Sequence, residues 1–348
     1  MDPLRVGLVG YGGAGRGIHA RLLAETGHRV VAAVTRRRAE QVRADWPGAL
    51  VVPDVAGLLA HAGELDLVVV ASPTGDHLAH TRAALEADVP VLVDKPLATT
   101  TADAIALVEL AERRRGRLTV FQNRRWDPEQ LTLRALLDAG ALGRVHRFER
   151  RWERFRPEPQ HRWKEQDPEA GGLLLDLGAH LVDSAVQLFG PVRRVHAELR
   201  ALTTPAVDDV FLALEHAPGP DGTAVVSHLQ AGGLVGAPGP RTRVLGDRAA
   251  YLVTSFEGEP TPFAVLDDAY DAGRGADVPP HEGWLVRGAE RTPVPRAAGG
   301  HADVYRAVER WLRADGPVPV DPWDAVRTAR VLDAARLSAA DGVPVLLD

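Results

Sequence analysis

The sequence predicts an α/β domain on a doubly wound parallel sheet, followed by an α+β domain whose strands pair mostly antiparallel. Three observations predict it. The chain has 348 residues, and single cores rarely grow past about 250–300 residues. Up to Phe121, short apolar runs alternate with helical patterns, as in parallel sheets covered on both faces. From residue 123 onward, alternating runs follow one another at spacings that suit antiparallel pairing. The expected division is 1–122 and 123–348.

Composition narrows the class of function. The chain is 45% apolar and 25% charged, with net charge −6 and no cysteine. The acidic balance argues against nucleic acid as a partner, which would call for a basic surplus. Absence of cysteine excludes disulfides, thiolate catalysis and cysteine-ligated metal. The start, MDPLRVGLVGYGG, reads as no signal peptide, and no apolar run approaches the roughly 20 residues of a membrane helix. A cytoplasmic location and no membrane partner are therefore expected. No H-E-x-x-H or close histidine pair is present, so no metal site is expected.

Element by element, Arg5–Val9 is an apolar strand pattern that runs into Gly10-Tyr11-Gly12-Gly13-Ala14-Gly15. Ile18, Leu22 and Leu23 follow at helical spacing. This is G-x-G-x-x-G in the strand–turn–helix setting of a dinucleotide site. The first glycine allows the tight turn, the second a close approach of backbone to pyrophosphate, and the third close helix–strand packing. The diphosphate would lie on the helix N-terminus. A second strand, Arg29–Val34, ends in Thr35-Arg36-Arg37-Arg38. No acidic residue for a ribose 2′-hydroxyl precedes Glu40, and guanidinium groups suit a 2′-phosphate. NADP is therefore preferred over NAD. The same tripeptide at Arg113-Arg114-Arg115 lacks this setting.

Leu67–Val70 is a wholly apolar strand leading to Ser72-Pro73-Thr74-Gly75-Asp76-His77. Val89–Val93 is another, leading to Asp94-Lys95-Pro96. Both place polar residues at strand carboxyl ends, where open parallel sheets bind ligands. Ser72, Pro73, Thr74, His77, Asp94 and Lys95 join the glycine turn, Thr35, Arg36 and Arg37 as cofactor-side candidates.

Gln122–Pro128 reads as the crossover, with a helix from about Glu129 to Ala139. Strands are expected at Val145–Phe155, Arg194–Arg200, Asp209–Glu215, Thr223–Leu229 and Arg241–Leu245. Gly258–Arg296, rich in Gly, Pro and Asp, reads as the least ordered stretch. Asp321-Pro322 reads as an N-cap with proline at the first helical position, opening a helix to about Ala340. Between these, Gly171–Ser184 forms a helical pattern. Asp176, His180, Asp183 and Gln187 fall within an arc of about 60° at 3.6 residues per turn. The apolar arc opposite is about twice the roughly 100° a surface helix needs. This helix is therefore expected to be mostly buried, with its polar stripe on a polar cavity or another chain; a solvated face is the alternative.

The pieces GYGGAG, ASPTGDH, VDKPLA, FQNRRWDP, RWKEQ and GGLLLDLGAHLVD occur in this order along nearly the whole chain. Together they resemble the glucose-fructose oxidoreductase/inositol dehydrogenase/MocA (Gfo/Idh/MocA) family, in the branch of NADP-dependent scyllo-inositol dehydrogenases. The resemblance implies a Rossmann domain joined to a domain with a large open, mostly antiparallel sheet, and a homodimer or homotetramer formed through that sheet. It implies catalytic roles for Lys95, from the family's E-K-P motif, and for Asp176 and His180; Asp94 stands where many members have Glu. The expected reaction is hydride transfer between NADP(H) and a secondary alcohol of a cyclic polyol or sugar. Asn123, Arg162 and Trp163 are further substrate-contact candidates. A keto-sugar (anhydrofructose-type) reductase and a non-catalytic NADP-binding sensor are the rival readings. The segment Ser255–Pro262 departs from the scyllo-inositol branch and leaves the substrate more open than the chemistry.

Overall fold

The computed structural model describes residues 2–114, 116–219, 222–253, 281–314 and 316–347. They divide into two compact units. The first takes residues up to Asn123 and, later in the chain, Gly300–Val326; the second takes the other described residues. The C-terminal part, assigned from sequence to the second domain alone, thus contributes to both units.

The first unit holds six parallel strands: β1 (Arg5–Val9), β2 (Arg29–Val34), β3 (Leu50–Val52), β4 (Leu67–Val70), β5 (Val91–Asp94) and β6 (Leu118–Phe121). Their order is β3-β2-β1-β4-β5-β6. The strand order reverses beside β1, and ligands of such sheets bind beyond the carboxyl ends at that point. All four residues of β4 are fully buried, which is why its apolar run is unbroken. β5 starts two residues later than expected: Pro90 has no N–H for the ladder, and Val91 is the first of its residues to donate, to Arg117 O at 2.8 Å. β3, three residues long, lies below what periodicity reveals. The helix Ala302–Arg313 also belongs to this unit and buries Tyr305 completely. Thr119 Oγ1 donates to Val320 O at 2.9 Å and accepts from Val320 N at 3.1 Å, tying the late segment to β6.

The second unit holds nine strands: β7 (Val145–Glu153), β8 (Val192–Arg200), β9 (Asp209–His216), β10 (Val226–Gly232), β11 (Thr242–Gly246), β12 (Ala250–Val253), β13 (His281–Arg287), β14 (Glu290–Pro295) and β15 (Val345–Leu346). They run in the order β14-β13-β12-β11-β7-β10-β9-β8-β15. β7 and β10 pair in parallel, and the other described pairs of this sheet are antiparallel. In β9, buried and half-buried residues alternate without exception, the mark of a sheet with one face on a core. On that face Phe148, Leu212 and Leu229 meet Leu177, Leu181 and Val182 of the buried helix, backed by Val331, Leu332 and Ala335. The last three lie on the helix Pro322–Asp341, whose start is capped as expected, Asp321 Oδ1 accepting from Trp323 N at 2.9 Å.

Two sequence readings differ from the structure here. β10 begins three residues after Thr223, because Thr223 O accepts from Gly219 N at 3.0 Å and so belongs to the preceding turn. Within Gly258–Arg296, residues 281–295 form the β13–β14 hairpin. The departure noted at Ser255–Pro262 lies outside the described residues. Among the described residues no helix is long and apolar enough to cross a membrane.

Candidate active site

The glycine turn follows β1 as the sequence predicts. Gly10 has φ +94°, and a Cβ there would stand 2.6 Å from Ala71 O. A Cβ on Gly15 would strike Gly10 O, so both positions demand glycine. Above Gly12 and Gly13, by contrast, nothing lies within 4 Å of where a Cβ would be. The next helical stretch opens with π-helical turns over Gly15–Ala20 before the α-helix Arg21–Glu25. Tyr11 is buried, and its hydroxyl donates to Asp45 Oδ2 at 2.7 Å. Its side chain therefore anchors the turn, leaving only its main chain for a ligand.

At the end of β2, Thr35 Oγ1 accepts from Arg38 N at 3.2 Å. Arg36 and Arg37 are exposed. The open space over Gly12–Gly13, with Ala14 and Gly15 at the head of the helix, fits the diphosphate of a dinucleotide.

The loop after β4 corrects one expectation. His77 is buried, with Nδ1 2.8 Å from Pro96 O and Nε2 3.0 Å from Ser72 O. Each ring nitrogen faces a main-chain carbonyl and the neutral ring donates to one of them, so His77 lies between the loops after β4 and β5 instead of reaching a cofactor. Burial pulls its pKa down. Ser72 Oγ lies 3.0 Å from His80 Nδ1; Pro73 is exposed and Thr74 half-buried at the start of a 3-10 turn.

After β5, Asp94 Oδ1 accepts from the Lys95 N–H at 2.8 Å. Lys95 is half-buried and is joined to Pro96 by a cis peptide. The other Asp94 oxygen lies 3.7 Å from Nε2 of the fully buried His19. His19 Nδ1 in turn meets the Tyr305 hydroxyl at 2.7 Å. Burial pushes the Asp94 carboxyl up, but His19, Lys95 and His77 outweigh it and hold it below the usual carboxylate range. The glycine turn, Ser72 and Asp94–Lys95 thus share the carboxyl edge of three adjacent strands, β1, β4 and β5.

In the second unit, Asp176 lies on a π-helical segment, Leu174–Gly178, and His180 on the α-helix Ala179–Phe189 that continues it. The helix is buried on nearly all sides, as expected. Its polar stripe is met by partners inside the unit, and Asp176 also lines a polar concavity there, as expected. Asp176 pairs with Lys164, a residue not singled out from sequence. Asp183 receives Arg125 through Nη2–Oδ1 at 2.5 Å and Nε–Oδ2 at 2.9 Å. The His180 ring meets Trp152 edge-on, centroids 5.5 Å apart. The Gln187 carbonyl accepts from Arg134 at 2.6 Å.

The substrate-contact candidates separate. Arg162 is committed to Glu165 (2.8 and 2.5 Å), closing a capping box at the helix Trp163–Gln166. That pair holds its head group in place on the wall of a concavity. Trp163 is 44% exposed. Asn123 is buried beside His301, Nδ2 to Nδ1 3.2 Å. Lys95 and Asn123 belong to the first unit; Asp176, His180, Arg162 and Trp163 belong to the second.

Comparison with known proteins adds to this geometry. Residues 4–122 match the family model described as the oxidoreductase family with an NAD-binding Rossmann fold. Residues 130–252 match that of the GFO/IDH/MocA C-terminal domain. The chain is 30% identical over 361 aligned positions to scyllo-inositol 2-dehydrogenase (NADP(+)) IolW of Bacillus subtilis, covering 100% of this chain and 97% of that protein. It is 33% identical to the uncharacterized oxidoreductase YdgJ of Escherichia coli, covering 97% of each. Among solved structures, the putative oxidoreductase yvaA of Bacillus subtilis superposes with a TM-score of 0.87 at 30% identity, covering 100% of this chain and 99% of that one.

Proposed function

We propose a reaction from one premise: the chain belongs to the GFO/IDH/MocA family of oxidoreductases. The reaction is reversible hydride transfer between NADP(H) and a secondary alcohol or ketone of a cyclic polyol or sugar, of the scyllo-inositol dehydrogenase type. The name of the Bacillus relative supports both the substrate class and NADP. The observation that carries the reading is the place of Lys95. It ends β5 in the same parallel sheet whose β1 runs into the glycine turn, on the edge where such sheets bind ligands.

A bound nicotinamide supplies or accepts the hydride at the carbinol carbon. The chain's own task is to hold the alcohol and manage its proton. The Lys95 ammonium would hydrogen-bond the reacting oxygen and offset the negative charge developing there. The His180 imidazole would take the hydroxyl proton, as a ring nitrogen that accepts a proton and later returns it. Asp176, held by Lys164, would accept hydrogen bonds from substrate hydroxyls, with Asn123 and Trp163 as further contacts. The main chain of residues 10–15, with Ser72, Pro73 and Thr74, would hold the dinucleotide, and Arg36 and Arg37 its 2′-phosphate. The half-exposed face of the nine-stranded sheet would pair between copies in a homodimer or homotetramer.

Lys95→Met tests this. NADP-linked oxidation of scyllo-inositol should fall at least about 100-fold, while NADPH binding followed by fluorescence changes less than about threefold. Near-normal turnover in the variant removes Lys95 from the mechanism. Tight NADPH binding by the unaltered protein, with no turnover of any inositol or sugar, favours the sensor reading.

A further inference from the structure

The second unit contains a concavity beside the buried helix. Arg154, Arg156, Arg162 and Lys164 line it, with Asp176 and Leu177 of the buried helix on one wall. Arg154 and Arg156 continue the line of β7. Their N–H groups donate to Gly232 O at 2.9 Å and Gly233 O at 2.7 Å, which fixes the segment beside β10. Two residues apart on such a segment, their side chains leave on the same side. Phe155 between them is 64% exposed.

Four carboxylates also line the concavity, and the structure accounts for each. Glu165 is gripped by Arg162. Asp176 is paired with Lys164. Asp208 accepts from Leu202 N at 2.6 Å, Thr203 N at 2.7 Å and Thr203 Oγ1 at 2.6 Å, which fixes its own loop. Glu158 is exposed. The first two each neutralise one cation. The remaining two guanidinium groups, Arg154 and Arg156, have no side-chain hydrogen bond or ion pair with the described residues. Both are half-buried. Burial lowers the Arg154 pKa to about 10, helped by Arg156, Arg124 and Arg162 and opposed by Asp176. Burial and Arg162 lower that of Arg156 as well, opposed by Glu165. A desolvated, mutually repelling cation pair is relieved when an anion enters, and planar guanidinium forks match carboxylate and phosphate oxygens.

We propose that this concavity binds an anionic group of the substrate, a carboxylate or a phosphate, on Arg154 and Arg156. An acidic sugar or polyol should therefore be preferred over its neutral counterpart. Calling it the substrate rests on the hydride-transfer reading above; the anion site itself does not.

Calorimetric titration of the full chain saturated with NADP+, so that the dinucleotide site is blocked, tests the site. Glucuronate, inorganic phosphate and neutral glucose are the probes. At least one anion should bind about tenfold or more tightly than glucose, and which anion does so separates carboxylate from phosphate. Arg154→Gln should weaken that anion about 10- to 100-fold, the worth of a hydrogen bond to a charged group. Arg154→Lys should fall between. Arg156→Gln serves as the second variant should Arg154→Gln lose its thermal transition. Equal binding of glucose and both anions, or anion binding unchanged in Arg154→Gln and Arg156→Gln, overturns the proposal. The turnover arm compares kcat/KM for glucuronate, glucose 6-phosphate and glucose. Turnover of glucose with no anion preference leaves the hydride-transfer reading standing and sinks this one. Anion binding lost in Arg154→Gln, with no turnover of any probe, supports the anion site and removes support for the reaction.

Discussion

Arg125 and Asp183 test whether the buried helix is held by charge. The Asp183 side chain is 4% exposed and that of Arg125 15%, and the two meet through a pair of hydrogen bonds at 2.5 and 2.9 Å. Arg125→Met removes the guanidinium and leaves the buried carboxylate without this counter-charge. Breaking a buried pair from one side costs about 3–5 kcal/mol. For a unit of this size, each kcal/mol is worth about 2–4 °C in Tm, so the expected fall is roughly 6–20 °C. Asp183→Leu alone should fall in the same direction, because the guanidinium is stranded instead. The double variant Arg125→Met/Asp183→Leu strands neither charge and should recover to within about 1 kcal/mol of the unaltered chain. Differential scanning calorimetry of all four proteins at one pH and salt concentration measures the cycle. A double variant that loses the sum of the two single losses refutes the argument, since the residues would then act independently. So would a fall below about 2 °C in Arg125→Met.

Two further outcomes follow from charge placement. Replacing both Arg36 and Arg37 by Ser should raise KM for NADP about 10- to 100-fold while leaving that for NAD little changed; equal effects on both cofactors would show that these groups do not read the 2′-phosphate. His216 is fully buried, with Nδ1 2.8 Å from Gly190 O and Nε2 2.8 Å from Ser227 Oγ. Burial lowers its pKa, opposed in part by the Gly190 carbonyl. The unfolded chain then binds the proton more tightly, so the contribution to stability is full above about pH 6.5 and is lost as pH falls below it. His28 and His77 shift the same way. Tm should therefore drop between about pH 7 and pH 5.5, and His216→Gln should make that drop shallower; an unchanged slope would exclude His216 as a contributor.

What the sequence disclosed, and what it withheld, follows from range. β1, β2 and β4 were legible because a strand covered on both faces must be apolar throughout, and the glycine turn because its crowding against Ala71 and Gly10 admits no side chain. The buried helix was legible from its wide apolar arc. The fate of its polar stripe was not, because Arg125 stands 58 positions before Asp183 and no local pattern links them. Lys164 lay inside a motif that had been noticed, yet its pairing with Asp176 arises only when the loop before the helix folds back. The same holds for His77: its place after a strand end suggested ligand contact, while the structure sets its ring between carbonyls of two different loops. No local pattern sorts the arginines of the Val145–Phe155 run by role. Only the fold separates Arg150, Arg151 and Arg147, which meet protein partners, from Arg154 and Arg156 beyond them.

The locks on the buried helix bear on which of its side chains can serve as a proton acceptor. Asp176 is held by Lys164, Asp183 by Arg125, and Ser184 by Arg150 and Gln130. These cations come from three places: the short helix Trp163–Gln166, the crossover turn and β7. Each residue of an α-helix turns the face by about 100°, so no rotation of this helix keeps all three contacts. The helix is therefore fixed about its axis, and with it the direction in which His180 leaves the backbone, the fixed orientation an acid–base group needs. A carboxylate already paired with an ammonium is a weaker base than one in water, because the pair favours its charged form. Asp176 is thus better suited to accept hydrogen bonds from hydroxyls than to remove a proton. In the proposed reaction the stripe divides its labour accordingly: the carboxylates hold position, and the imidazole between them takes the proton.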